Sequence, residues 1–277
     1  MSAHLLPPPA NRDWPIGIFD SGVGGLTVVR QIHQVLPAED LIYLGDTARV
    51  PYGTKSPETV IRFAHEDVQF LVHHQVKAIV VACNTASAWA GPSLQRDFTQ
   101  PIFGVIGPGA KSAVAKSRSG RIGVIGTKAT IRSDAYTKRI VQLEPRAAVF
   151  AAACPLLVPL VEEGWLDRSV TRAVLEEYLT PLMAEAIDTL VLGCTHYPLL
   201  KPMIQQVVGS HVALIDSAEA CAASVQDELQ RMDLLCADPD RRGAIRPFVT
   251  DEPERFQEVA ARFLGVPTAP AAKVDLC

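Results

Sequence analysis

The chain repeats its opening pattern less than halfway along. An apolar stretch at Ile16-Gly17-Ile18-Phe19, closed by the glycine-rich turn Asp20-Ser21-Gly22-Val23-Gly24-Gly25, returns as Ile122-Gly123-Val124-Ile125-Gly126-Thr127, 106 residues later. Val80-Val81-Ala82-Cys83-Asn84-Thr85 has its echo in Val191-Leu192-Gly193-Cys194-Thr195-His196, with the two cysteines 111 residues apart. Val105-Ile106-Gly107-Pro108-Gly109 is matched by Leu214-Ile215-Asp216-Ser217-Ala218 at an offset of 109. Three landmarks in one order at nearly one spacing imply two similar α/β units.

Within the first unit, apolar runs predict strands over 16–19, 41–44, 78–82 and 102–105. Leu26, Val29, Ile32 and Leu36 follow at helical spacing, and Ser56 with Pro57 opens a helix whose inner face carries Val60, Ala64, Val68 and Leu71. Further helices are expected over 86–98 and from Gly109. The second unit reads as strands over 121–125, 147–152, 189–192 and 214–216, with a helix over 170–186. A helix over 218–232, a strand over 246–250 and a helix over 253–264 follow. This last strand–helix pair has no counterpart between the halves, and its simplest place is back in the first sheet.

The expected fold is therefore α/β: two similar domains, each a mostly parallel sheet flanked by helices, related by pseudo-twofold symmetry with the active site between them. The expected division is 1–14 as a disordered leader, 15–106 plus 218–266 as the first domain, 107–217 as the second, and 267–277 as a tail. A (β/α)8 barrel is the competing arrangement, but a barrel needs no restart at Ile122.

A chain of 277 residues with 48% hydrophobic and 20% charged residues is ordinary for a globular protein with a sizeable core. Its net charge of −4 argues against a dedicated nucleic-acid binder. The N-terminal stretch, with Pro7-Pro8-Pro9, lacks both the charged start and the apolar centre of a signal peptide, and no apolar run reaches the roughly 20 residues of a membrane span. These readings place the chain in the cytosol. Its six cysteines are scattered with no C-x-x-C spacing, so free thiols are the expectation.

Ligands of open parallel sheets sit outside the carboxyl ends of the strands. Asp20, Tyr52, Cys83, Thr127 and Cys194 all fall just after expected strands. Each of the two echoing cysteines is followed by residues that can open a helix, and a helix N-terminus lowers a thiol pKa, so a thiolate near neutral pH is expected at both. One acid–base thiol on each face of a carbon centre is what inverting a stereocentre by proton removal and return requires. A single strand-end cysteine is more often a small buried hydrophobe, which is the reading for Cys154, Cys221, Cys236 and Cys277. His196, two residues from Cys194, and Asp20, in the glycine-rich turn, are further candidates. The other histidines read as solvated or packed. Gly22-x-Gly24-Gly25 has neither dinucleotide-fingerprint nor P-loop spacing and suits a small anion such as a carboxylate.

The segments Ile18-Phe19-Asp20-Ser21-Gly22-Val23-Gly24-Gly25-Leu26, Pro51-Tyr52-Gly53, Ala82-Cys83-Asn84-Thr85-Ala86 and Gly193-Cys194-Thr195-His196-Tyr197-Pro198 resemble the signatures of glutamate racemases, within the cofactor-independent aspartate/glutamate racemase group. The resemblance runs from about Ile16 to Leu264. It implies interconversion of L- and D-glutamate without pyridoxal phosphate or metal, supplying D-glutamate for peptidoglycan. By the same resemblance Cys83 acts on the D-enantiomer and Cys194 on the L-enantiomer. Asp20 assists Cys83, while His196 and Glu162, or Glu163 by a one-residue slip, assist Cys194. Asp20, Ser21, Pro51, Tyr52, Gly53, Asn84, Thr85, Thr127, Thr195 and His196 are the expected substrate contacts. The expected partners are the glutamate substrate and a second copy of the chain in a homodimer, with no nucleic acid and no membrane.

Overall fold

Short apolar strands alternating with amphipathic helices can bury both faces of a parallel sheet, and this chain does so twice. The computed structural model describes residues 11–238, 240–266 and 269–276. Residues 1–10 of the expected leader, and positions 267, 268 and 277 of the expected tail, lie outside them.

The first lobe contains β1 (Ile16–Asp20), α1 (Leu26–Val35), β2 (Leu41–Gly45), α2 (Pro57–His73), β3 (Ala78–Val81), α3 (Asn84–Asp97) and β4 (Ile102–Gly104). Helix α4 (Ile106–Lys116) leads to the second lobe, with β5 (Arg121–Gly126), α5 (Lys128–Ser133), α6 (Ala135–Leu143), β6 (Ala148–Ala153), α7 (Leu157–Glu162), α8 (Ser169–Ala184), β7 (Thr189–Gly193), α9 (Lys201–Val208) and β8 (Ala213–Asp216). Helix α10 (Ser217–Arg231), β9 (Ile245–Val249), α11 (Pro253–Leu264) and β10 (Ala272–Lys273) complete the described chain.

The first sheet has the order β10-β9-β2-β1-β3-β4 and the second β6-β5-β7-β8, with every pairing parallel. The four strands of each repeat therefore share one order, second-first-third-fourth. In both, the chain leaves the first strand in one direction and returns on its other side, which opens a crevice at the carboxyl ends of β1 and β3, and of β5 and β7. Asp20 ends β1 and Cys83 follows β3; Thr127 follows β5 and Cys194 follows β7.

Strands β1, β2, β3 and β7 are buried along their whole length, so their continuous apolar runs are set by two covered faces. One apolar cluster joins the lobes: Val29 and Ile32 of α1 share it with Ala222 and Val225 of α10, Phe256 and Phe263 of α11, and Leu192 of β7. Ser56 caps α2 by accepting from the Thr59 N–H at 3.4 Å, with Pro57 in the first turn.

Two features differ from the sequence expectation. Residues 11–14 of the expected leader are held, because the Arg12 carbonyl accepts from Lys77 Nζ at 2.6 Å and Arg12 Nε donates to the Leu235 carbonyl at 2.9 Å. The expected tail contributes β10, which pairs with β9 and so covers what would otherwise be an open strand edge. The stretch 128–143 forms two helices, α5 and α6, divided at Asp134, whose φ of 59° cannot continue a right-handed helix. Among the described residues, no helix is long and apolar enough to cross a membrane.

Candidate active site

Strand β3 delivers Cys83 to the N-terminus of α3. Its Sγ accepts from the Ala86 N–H at 3.5 Å, and the thiol donates to Ser21 Oγ at 3.7 Å. Asp20 lies beside it at the end of the neighbouring strand, fully buried, with Oδ2 accepting from the Gly22 N–H at 3.1 Å. Burial raises the Asp20 carboxyl above its usual range, against the opposing pull of the His196 charge and backbone N–H groups. Cys83 is pushed up to about 12, first by burial and then by the Asp20 charge. The expected thiolate at Cys83 is thus not met. The helix N–H does favour the anion, but desolvation and a neighbouring carboxylate outweigh one hydrogen bond.

Strand β7 delivers Cys194 into a different setting. His196 Nδ1 stands 3.9 Å from its sulfur, and His196 Nε2 lies 2.9 Å from Oε1 of Glu162, the last residue of α7. The Phe263 ring meets the imidazole edge-on at 5.2 Å. Burial alone would lower the imidazole pKa, yet Cys194 and Glu162 together hold it up to about 10. Both neighbours thus favour the protonated form of His196. Burial works to raise Glu162, but its bond to His196 and the charge of Arg255 bring it below the usual range. It is Glu162, not Glu163, whose carboxylate reaches the imidazole.

The two sets lie on facing loops that touch. Thr27 Oγ1 of α1 donates to the Thr195 carbonyl at 2.9 Å, and a Cβ on Gly24 would fall 2.3 Å from Thr195 Oγ1 and 2.4 Å from His196 Nδ1, so only glycine permits this approach. On the other flank Thr85 Oγ1 meets Thr127 Oγ1 at 3.0 Å and Thr130 Oγ1 at 3.1 Å. Gly53 packs on Thr127, where a Cβ would come within 2.8 Å of Thr127 Cβ. The His196 charge reaches Asp20 across the cleft. A cavity of about 170 Å³ beside this point is lined by Gly22, Val23, Val50, Glu162 and Arg255.

Asp20, Ser21, Cys83, Asn84, Thr85, Thr127, Cys194, Thr195, His196 and Glu162 thus converge. Tyr52, which follows Pro51 in a 3₁₀ turn, directs its hydroxyl elsewhere: it is fully buried and bonds Asp46 Oδ2 at 2.5 Å and Asp67 Oδ2 at 2.9 Å. Arg49 braces the same two carboxylates and sits 4.1 Å from the Phe63 ring. Burial, then the Asp46 charge, pushes Asp67 well above the carboxylate range. Two buried atoms beside Cys83 have no hydrogen-bond partner among the described residues, the acceptor Asp20 Oδ1 and the donor Asn84 Nδ2. Sequence reading missed Tyr136, whose hydroxyl donates to Asn84 Oδ1 at 2.8 Å. The available signal was the apolar i, i+4 pair Tyr136 and Ile140.

The Asp/Glu/Hydantoin racemase family model matches residues 16–225. A glutamate racemase from Geobacter metallireducens is 55% identical over 250 residues, which are 90% of this chain and 92% of that protein. Among solved structures, glutamate racemase from Bacillus anthracis is similar with a TM-score of 0.92 and 41% identity, covering 96% of this chain and 99% of that one. Glutamate racemase from Francisella tularensis, in complex with D-glutamate, has a TM-score of 0.89 and 38% identity, covering 96% and 98%.

Proposed function

The chain belongs to the Asp/Glu/hydantoin racemase family, and we propose that within it this protein interconverts L- and D-glutamate by a two-base mechanism. The observation that carries the reading is the placement of Cys83 and Cys194 at equivalent strand ends of two repeats whose site loops touch, Gly24 of the Asp20 turn lying against Thr195 and His196.

In the proposed step, one cysteine acts as a thiolate and removes the Cα proton, forming an S–H bond as the C–H electron pair moves onto Cα and the carboxylate. The opposite thiol then delivers its proton to the other face of Cα and is left as the thiolate. Atoms and charge balance within each turnover, and the two cysteines exchange roles for the reverse direction. Desolvation helps both, since a thiolate out of water is a stronger base.

Cys194 takes the proton of L-glutamate, with the His196 imidazolium stabilising its anion and Glu162 holding the imidazole. Cys83 takes the proton of D-glutamate beside Asp20. The unpartnered Asp20 Oδ1 suits an ammonium donor and Asn84 Nδ2 suits a carboxylate oxygen, the two charged groups of an α-amino acid. The remaining substrate contacts in this reading are Ser21, Gly53, Thr85, Thr127 and Thr195. In the cell the product would be D-glutamate for peptidoglycan, made in the cytosol by a homodimer.

The test is circular dichroism of the purified protein with L- or D-glutamate and no added cofactor. Loss of optical activity from either enantiomer supports the reading. Binding without turnover, or turnover of aspartate or a hydantoin instead, would reject it.

A further inference from the structure

Tyr136 stands on α6 of the second lobe with its ring fully enclosed. One edge lies against Gly109 of α4, where a Cβ would approach the ring and hydroxyl to 3.2 Å. The other lies against Gly193, the residue before Cys194, where a Cβ would come within 3.1 Å. Two glycines thus leave the slot that the ring fills. The hydroxyl emerges from that slot and crosses to the first lobe, donating to Asn84 Oδ1 at 2.8 Å. Asn84 is the residue after Cys83 and the first of α3. One aromatic side chain therefore touches the chain neighbour of each strand-end cysteine.

The direction of this hydrogen bond matters. A tyrosine hydroxyl has one hydrogen, and an amide has one accepting and one donating end. With the hydrogen engaged on Oδ1, the amide is turned so that Nδ2 keeps both N–H groups, and Nδ2 is buried without a partner among the described residues. A buried amide left in that state is costly unless a ligand oxygen completes it.

We propose that Tyr136 is a positioning residue: by holding Asn84 Oδ1 it presents the Asn84 amide N–H groups to the substrate carboxylate, while its ring backs the strand end that carries Cys194. One side chain so sets the substrate's register between both thiols. The inference rests on the glutamate reading, because the ligand it positions is a carboxylate.

Tyr136→Phe keeps the ring and removes only the hydroxyl. In both reaction directions KM should rise about tenfold, with kcat held within about threefold, as expected for loss of one orienting hydrogen bond. In an Asn84→Ala background the same change should have no further effect, since Tyr136 acts through Asn84. A KM within about twofold of the wild type, or an equal additional loss in the Asn84→Ala background, overturns the inference. If Tyr136→Phe does not fold, Asn84→Asp takes its place, because it keeps the acceptor for Tyr136 and lacks the donor. A raised KM there supports the inference and an unchanged KM overturns it. Wild-type protein that turns over neither enantiomer in the same assay overturns both this inference and the glutamate reading, whereas an active wild type beside an unaffected Tyr136→Phe overturns this inference alone.

Discussion

His196 Nε2 lies 2.9 Å from Glu162 Oε1, while the ring's other nitrogen faces the Cys194 sulfur at 3.9 Å. The corresponding neighbour of Cys83 is a carboxylate, Asp20. Two repeats with one strand order thus surround their cysteines with opposite charge.

This asymmetry predicts an alkaline limb. His196 is raised to about 10, so its charge, and the stability its ion pair contributes, is fully present below the ordinary histidine range and is lost as pH rises through about 10. In Glu162→Gln one raising influence disappears, so the alkaline limb of kcat should move toward neutrality. A pH–rate profile of each protein checks this, and an unmoved limb would show that the pair does not control the reaction.

Each cysteine should be indispensable. Cys83→Ser and Cys194→Ser are each expected to lower racemisation by about 10²–10⁴-fold, the range supplied by a positioned acid–base group. In D₂O the wild-type product enantiomer should carry deuterium at Cα, read by mass spectrometry. Near-normal turnover by either variant would falsify the two-base scheme.

Asp20→Asn tests the cause of the Cys83 shift. Asp20 is the second largest influence raising that thiol to about 12, after burial. Its removal should let Cys83 ionise at lower pH while racemisation falls. Ultraviolet titration of thiolate absorbance, in a Cys194→Ser background, measures the change; an unshifted titration would assign the whole effect to burial.

Stability has a separate determinant far from the cleft. Lys77 is fully buried, with Nζ 2.5 Å from Glu39 Oε2, and Glu39 Oε1 accepts from the Cys236 N–H at 2.8 Å. Lys77→Met leaves a buried carboxylate without its cation and should cost about 3–5 kcal/mol in chemical denaturation. Adding Glu39→Leu should restore part of that loss. If the single variant is as stable as the wild type, the pair contributes nothing.

Tyr52→Phe separates a brace from a substrate contact. Because its hydroxyl bonds Asp46 and Asp67, the variant should lose about 1–3 kcal/mol of stability through the lost hydroxyl contacts, while the Arg49 contacts to both carboxylates remain. Its kcat should stay near normal. Collapse of kcat with unchanged stability would instead assign Tyr52 to the substrate.

The duplicated α/β pattern, the strand ends and the two cysteines were legible in the amino-acid order, because they rest on local rules: apolar periodicity, helix-capping residues and glycine-rich turns. Local rules also put His196 two residues from Cys194 and Asp20 in a strand-end turn, while the pairing of Asp20 with Cys83 came from the family resemblance. They did not reveal that Cys83 is raised rather than lowered, that Glu162 reaches a histidine 34 positions away, that Tyr52 turns from the cleft, or that Tyr136 crosses it to Asn84. Those outcomes depend on burial and on charges summed over residues distant in the chain. Sequence determined which groups reach the cleft, and only the folded lobes decided how each group is oriented and which protonation state it favours, since desolvation and hydrogen-bond direction exist only once the lobes have packed.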